Sequence, residues 1–168
     1  MKKAIHLGVF LAVVSAIAGG ALSYVNGITS PIIEENKLAV EKESLLVMYP
    51  EATADDFEIV DGVSTDTITK VYKYNDFYIF NLVVSGYKEG TTFLVSIDSN
   101  TEVIDKYQPL SNGDTKGIGS KVMDEPFKTS LEGKVASEQL DTISGATVSS
   151  TPVVKGINEA CEVMKGLK

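Results

Sequence analysis

Arginine is absent from this 168-residue chain, so all fifteen of its basic residues are lysines. That removes the bidentate guanidinium clamp for phosphate. A phosphate held here must rest on backbone amides, lysine, hydroxyls or a covalent bond. Cys161 is the only cysteine, which excludes an intramolecular disulfide, a CxxC redox pair and a thiolate cluster for zinc or iron and sulfur. His6, the only histidine, lies in an apolar N-terminal stretch, so the remainder has no Ser-His-Asp or Cys-His site and no His-ligated metal or haem. We therefore assign no catalytic residue and no metal ligand. If such a chain moves electrons, the carrier must be an organic cofactor.

Positive charge is also scarce. After residue 33 there are 13 lysines against 23 acids, a net charge of minus 10. A surface of that sign repels nucleic acid, and no RNA or DNA partner is expected.

Between Ala4 and Ile33 there is no Asp, Glu, Lys or Arg. The run is long enough to cross a bilayer at about 20 residues per span. Lys2 and Lys3 precede it and Glu34 and Glu35 follow, so the positive-inside tendency puts the N-terminus in the cytoplasm and the rest on the extracytoplasmic side of the cell membrane. A cleaved signal peptide is the competing reading, given Ala16, Ala18 and Ala21. The length of the uncharged run, with Ala-x-Ala only in its middle, favours an anchor. Pro31 is expected to end the helix or sit at its exit, Tyr24 to sit at the interface, and Gly19-Gly20 to allow close helix packing. The expected division is an anchor at 1–33, an amphipathic stalk helix at 34–50 and one compact domain at 51–168.

The segment after the anchor carries Leu38, Val40, Leu45, Leu46 and Met48 among charges and stops near Pro50, an amphipathic helix that serves as a stalk or as the first packing helix. Five runs then have strand character: Phe57–Val60, Ile68–Tyr74, Tyr78–Gly86, Thr91–Ile97 and Val103–Leu110. Turn signals such as Asp61-Gly62, Asn75-Asp76 and Ser99-Asn100 separate them closely, which favours an antiparallel sheet. The run Phe77–Gly86 is apolar at nearly every position and reads as a central strand. Tyr72, Tyr74, Tyr78 and Tyr87, in the sheet region, read mostly as core or sheet-face residues, any one of which could stack on a planar ring without the sequence choosing it. A glycine-rich loop, Asn112 to Ser120, follows, and its freedom would let backbone amides approach a planar ring or an anion. Ser120–Leu131 reads as helical, interrupted at Pro126, with Phe127 and Leu131 inward. In the last helix Val154, Ile157, Cys161 and Met164 mark one apolar face, where Cys161 is a core thiol. Pro152 is expected in its first turn. Ser144–Thr151 then sits at a helix N-terminus, where free N–H groups and the helix dipole favour phosphate. The plainer reading of these hydroxyls is N-capping, at about 1 kcal/mol each.

Within that segment stands Asp141-Thr142-Ile143-Ser144-Gly145-Ala146-Thr147. An Asp, two residues, then Ser or Thr before Gly-Ala-Thr resembles a flavinylation motif. It is similar to the one in the FMN-binding domain shared by the G subunit of the Rnf electron-transport complex and the C subunit of the Na+-translocating NADH:quinone reductase. The upstream loop resembles the family's Glu-Thr-Pro-Gly-Leu/Ile-Gly, with Asp114 for the Glu and Lys116 for the Pro, and with Thr115, Gly117, Ile118 and Gly119 in agreement.

The resemblance implies an α+β fold, with an N-terminal transmembrane helix and one FMN-binding domain built from an antiparallel sheet and flanking helices. It implies FMN joined to Thr147 by a phosphoester bond. A separate flavin transferase would make that bond from FAD and Mg2+, releasing AMP. Ser144, Gly145, Ala146, Ser149, Ser150, Asp141, Asp114, Thr115, Gly117, Ile118 and Gly119 are the other residues expected near the cofactor, and Ile143 and Val148 are expected to pack under the loop. The partners it implies are polytopic membrane subunits of an ion-translocating ferredoxin:NAD+ oxidoreductase, in which the chain is an electron-transfer component of a translocase and no catalyst on its own. Two alternatives remain: a free-standing extracytoplasmic flavoprotein that relays electrons to an extracellular acceptor, and a cofactor-free membrane-anchored binding domain.

Overall fold

A computed structural model describes residues 2–167. It is an α+β structure. Helix α1 spans Lys2–Met48, followed by strands β1 (Glu58–Ile59), β2 (Ile68–Tyr74), β3 (Phe77–Val84), β4 (Thr91–Asp98) and β5 (Ile104–Asn112), then helices α2 (Glu125–Leu131) and α3 (Thr147–Gly166). Two compact units divide at Lys42/Glu43.

Within the first unit α1 is long and apolar enough to cross a membrane. Pro31 does not end it. A helix-interior proline leaves the carbonyl four residues back, here that of Gly27, without its N–H, and the helix continues through the Glu-, Lys- and Leu-containing run after Glu34.

In the second unit the five strands form an antiparallel meander in the order β1-β2-β3-β4-β5, with β3 in the middle as its apolar run implies. The β2–β3 turn is tight because Asn75, at φ 53°, adopts the left-handed conformation that asparagine tolerates. Val103 bridges Val135 beyond β5, so the chain after α2 closes over that edge.

Antiparallel sheets commonly leave one face to water. Here both are covered, which explains why β3 and β4 lack the usual alternation. Phe80, Leu82, Phe93, Val95 and Tyr107 pack beneath α2 and α3 with Phe127, Leu131, Val153, Ile157 and Met164. On the other face Tyr72, Ile79 and Leu94 meet Leu45, Met48 and Tyr49, from the end of α1 and just after it, together with Phe57. The Tyr49 hydroxyl lies 2.5 Å from Ser96 Oγ and donates to Asp105 Oδ2 at 2.7 Å. Burial raises its pKa.

Helix α3 buries the predicted stripe Val154, Ile157, Cys161 and Met164. Burial likewise raises the pKa of the Cys161 thiol, which faces Glu102. Pro152 is not in the first turn but is the sixth residue of α3, because the helix starts at Thr147.

Candidate functional site

Three connecting segments meet beside the start of α3: the turn after β3 (85–90), the loop after β5 (113–120) and the turn 143–147. Asp114 ties the first two. It is buried, and its Oδ1 accepts the backbone N–H of Lys88 at 2.8 Å and of Gly90 at 3.4 Å. Its own amide donates to Asn112 Oδ1 at 3.0 Å, and Gly113 N–H donates to the Gly90 carbonyl at 3.0 Å. Burial pushes the Asp114 carboxyl upward. The Ser149 hydroxyl and the amides of Lys88, Tyr87 and Gly90 outweigh this, and its pKa lies below the usual carboxylate value. Its Oδ2 is buried without a well-aligned hydrogen bond.

Close approach here requires glycine. A Cβ on Gly86 would run into the Asp114 carboxylate, and one on Gly119 would lie 2.5 Å from Ser149 Oγ and 2.6 Å from Asp114 Cβ. Gly119→Ala is therefore expected to push the loop off α3 and to destabilise the domain by about 1–3 kcal/mol, as overpacking does. An unchanged urea midpoint for this variant would contradict the contact.

The turn into α3 is lashed from within. Ile143 N–H donates to Ser150 Oγ at 3.0 Å, and the same hydroxyl donates to the Ala146 carbonyl at 3.0 Å. Gly145, at φ 81°, makes the bend. The N-cap is Ala146, which has no side chain to cap with. The amides of Ser149 and Ser150 both bond to the Ala146 carbonyl, leaving the first N–H groups of the helix, on Thr147 and Val148, without a backbone acceptor. Thr147 is exposed, and its hydroxyl makes no hydrogen bond among the described residues. The hydroxyl run is thus not a set of caps.

These pieces enclose a cleft of about 490 Å3, within the roughly 300–1,000 Å3 typical of ligand sites. Its lining includes Thr115, Gly119, Gly145, Ala146, Thr147 and Ser149. Three exposed apolar residues complete it: Tyr87 at 69% exposure, Ile118 at 52% and Val148 at 61%. An apolar wall with a free hydroxyl and free helix amides at one end fits a planar ring that carries a phosphate on a polar tail. A second hollow lies on the other side of Thr147, against Thr151, Pro152 and Lys155. Among the described residues no group of His, Cys, Asp or Glu is arranged to hold a metal.

Residues 86–162, which carry the three segments except for Ser85, match the FMN-binding domain family. This segment is similar to an FMN-binding domain. The match supports FMN as the cofactor, and the cleft supplies the chemistry such a group needs. Over its length the chain is similar to the G subunit of the proton-translocating ferredoxin:NAD(+) oxidoreductase complex of Clostridium ljungdahlii, at 24% identity over 90% of this chain and 86% of that one. It is similar to the G subunit of the Na(+)-translocating ferredoxin:NAD(+) oxidoreductase complex of Acetobacterium woodii at 27%, covering 99% and 94%. The G subunit of the ion-translocating oxidoreductase complex of Methanosarcina acetivorans is 25% identical, covering 96% and 94%.

The fold gathers most of the expected residues but gives them different places. Thr115, Ile118, Gly119, Gly145, Ala146, Thr147 and Ser149 line the cleft. Asp114 stands behind that wall, and Gly117 is in the loop, its N–H donating to Ser120 Oγ at 2.8 Å. Ser150 is fully buried with its hydroxyl inside the lash, whereas Ser144 and Asp141 are exposed and do not line the cleft. Ile143 packs against the core as expected. Val148 does not: it follows the exposed Thr147 in the first turn, ahead of the core-facing stripe that begins at Ser149. Tyr87 is likewise no core or sheet-face residue but stands on the rim. The signal for it is an aromatic in a turn bounded by Gly86 and Gly90.

Proposed function

We propose that this chain is a membrane-anchored electron carrier whose FMN is esterified to Thr147, acting as the G subunit of an Rnf-type ion-translocating ferredoxin:NAD+ oxidoreductase. The observation that carries the reading is the Thr147 hydroxyl, free and exposed at the first residue of α3, on the edge of an apolar cleft in an FMN-binding domain. The relatives, each named as the G subunit of an ion-translocating complex, support the assembly. The apolar length of α1 supports the anchor, and the lysines before it with the acids after it support a cytoplasmic N-terminus.

In the loading step a flavin transferase presents FAD. The Thr147 Oγ–P bond forms, the phosphoanhydride breaks, AMP leaves, and the Thr147 proton passes to a base of the transferase. The phosphodiester keeps one negative charge, which the amides of Thr147 and Val148 and the positive end of α3 offset in place of arginine. When bound, FMN supplies reversible electron transfer. Tyr87, Ile118 and Val148 would hold the ring by apolar contact, and Gly119 would let the loop backbone come close to it. The buried hydroxyl of Ser150 keeps the attachment turn in shape.

Intact mass of the wild-type protein made with an active transferase is expected to show an excess of one FMN. A colourless protein without that excess would leave a cofactor-free anchored domain.

A further inference from the structure

Behind the cleft wall sits a charge that binding alone does not require. Asp114 is buried, yet an ideal Cβ on the wall residue Gly119 would lie only 3.2 Å from its Oδ2, so one layer of atoms separates the carboxylate from the cleft. No lysine pairs with it among the described residues. Nearby Lys88, Glu89 and Lys116 are exposed, where water and salt screen them.

Resting on the functional reading above, we propose that Asp114 tunes the flavin's reduction potential, holding it low by placing an unneutralised negative charge behind Gly119 and Ser149.

The amides of Lys88 and Gly90 stabilise the carboxylate but bring no net positive charge, and its Oδ2 is left without a well-aligned donor. Its depressed pKa keeps it ionised at neutral pH. Uptake of two electrons with one proton adds one negative charge to the ring. At a separation on the order of 10 Å and an effective dielectric of about 20, repulsion between two like charges shifts that equilibrium about tenfold or more. Asp114 acts through the wall, so it is a positioning residue and touches no reacting atom.

The test loads wild type, Asp114→Asn and Asp114→Glu with the transferase, confirms one FMN on each by mass, and titrates each at pH 7 by dye-mediated spectroelectrochemistry. Asn keeps an acceptor for the Lys88 amide and removes the charge. Its potential is expected to rise by a tenfold change in equilibrium constant, about 30 mV for a two-electron couple. Glu, which keeps the charge, is expected to stay near wild type. A loaded Asn variant that melts like wild type and has an unchanged potential would overturn the proposal. If Asn does not fold, Asp114→Ser, smaller and still an acceptor, takes its place under the same criterion. A wild type that takes no flavin would instead be a failure of the functional reading.

Discussion

Thr147→Val is expected to give a protein that folds normally and carries no flavin. Valine keeps the branched shape and removes only the oxygen. That oxygen makes no hydrogen bond among the described residues and the side chain is exposed, so stability should stay within about 0.5 kcal/mol of wild type. Loading should nonetheless fall from one FMN per chain to none, read as loss of the mass excess and of in-gel flavin fluorescence. Thr147→Ser restores a nucleophilic oxygen and should recover part of the label. The neighbouring hydroxyls sharpen the test. Ser149 and Ser150 are buried, while Ser144 in the turn and Thr142 just before it are exposed. A band that survives in the valine variant would move the attachment to one of those two exposed oxygens.

A chain begun at residue 51 is expected to lose its fold, and one begun at residue 43 to keep it. The sequence leaves this open, since the helix in Glu34–Pro50 reads as either a stalk or the first packing helix. Leu45, Met48 and Tyr49 are 2–3% exposed and cover Tyr72, Ile79 and Leu94 on the back of the sheet. Stripping three large side chains from a core costs roughly 4–9 kcal/mol. Domain stabilities are themselves about 5–15 kcal/mol. The loss also strands Ser96 and Asp105, the partners of the Tyr49 hydroxyl, and frees Lys106, which donates to the Met48 carbonyl and lies 4.5 Å from the Tyr49 ring. Circular dichroism melts of the two fragments decide the matter. Equal midpoints would mean that this contact contributes little.

Much of this architecture is legible in the sequence because its determinants are local. The strands announce themselves through β-branched and aromatic runs between turn residues, and α3 through the spacing of Val154, Ile157, Cys161 and Met164. What stays hidden depends on residues distant in sequence. The apolar run of β3 says that both faces are covered, but not that Leu45, Met48 and Tyr49 cover one of them. Asp114 reads as a loop acid until folding places it against Lys88, Gly90 and Ser149. Tyr87 and Val148 mislead because hydrophobicity alone suggests burial, whereas a turn and a first helical turn point them outward. Pro31 and Pro152 read as boundaries although the surrounding helix tolerates one missing bond.

That missing bond has a consequence at Pro152. Four residues back stands Val148, whose carbonyl receives no N–H from the helix. The turn bearing Thr147 is therefore coupled to the body of α3 less tightly than an unbroken helix would couple it, and it leans on the Ser150 lash instead. Such a turn can fray by itself while the packed stripe beyond stays closed. Under the proposed attachment, a transferase would need only this one turn to open, and the domain would be complete before its cofactor arrives.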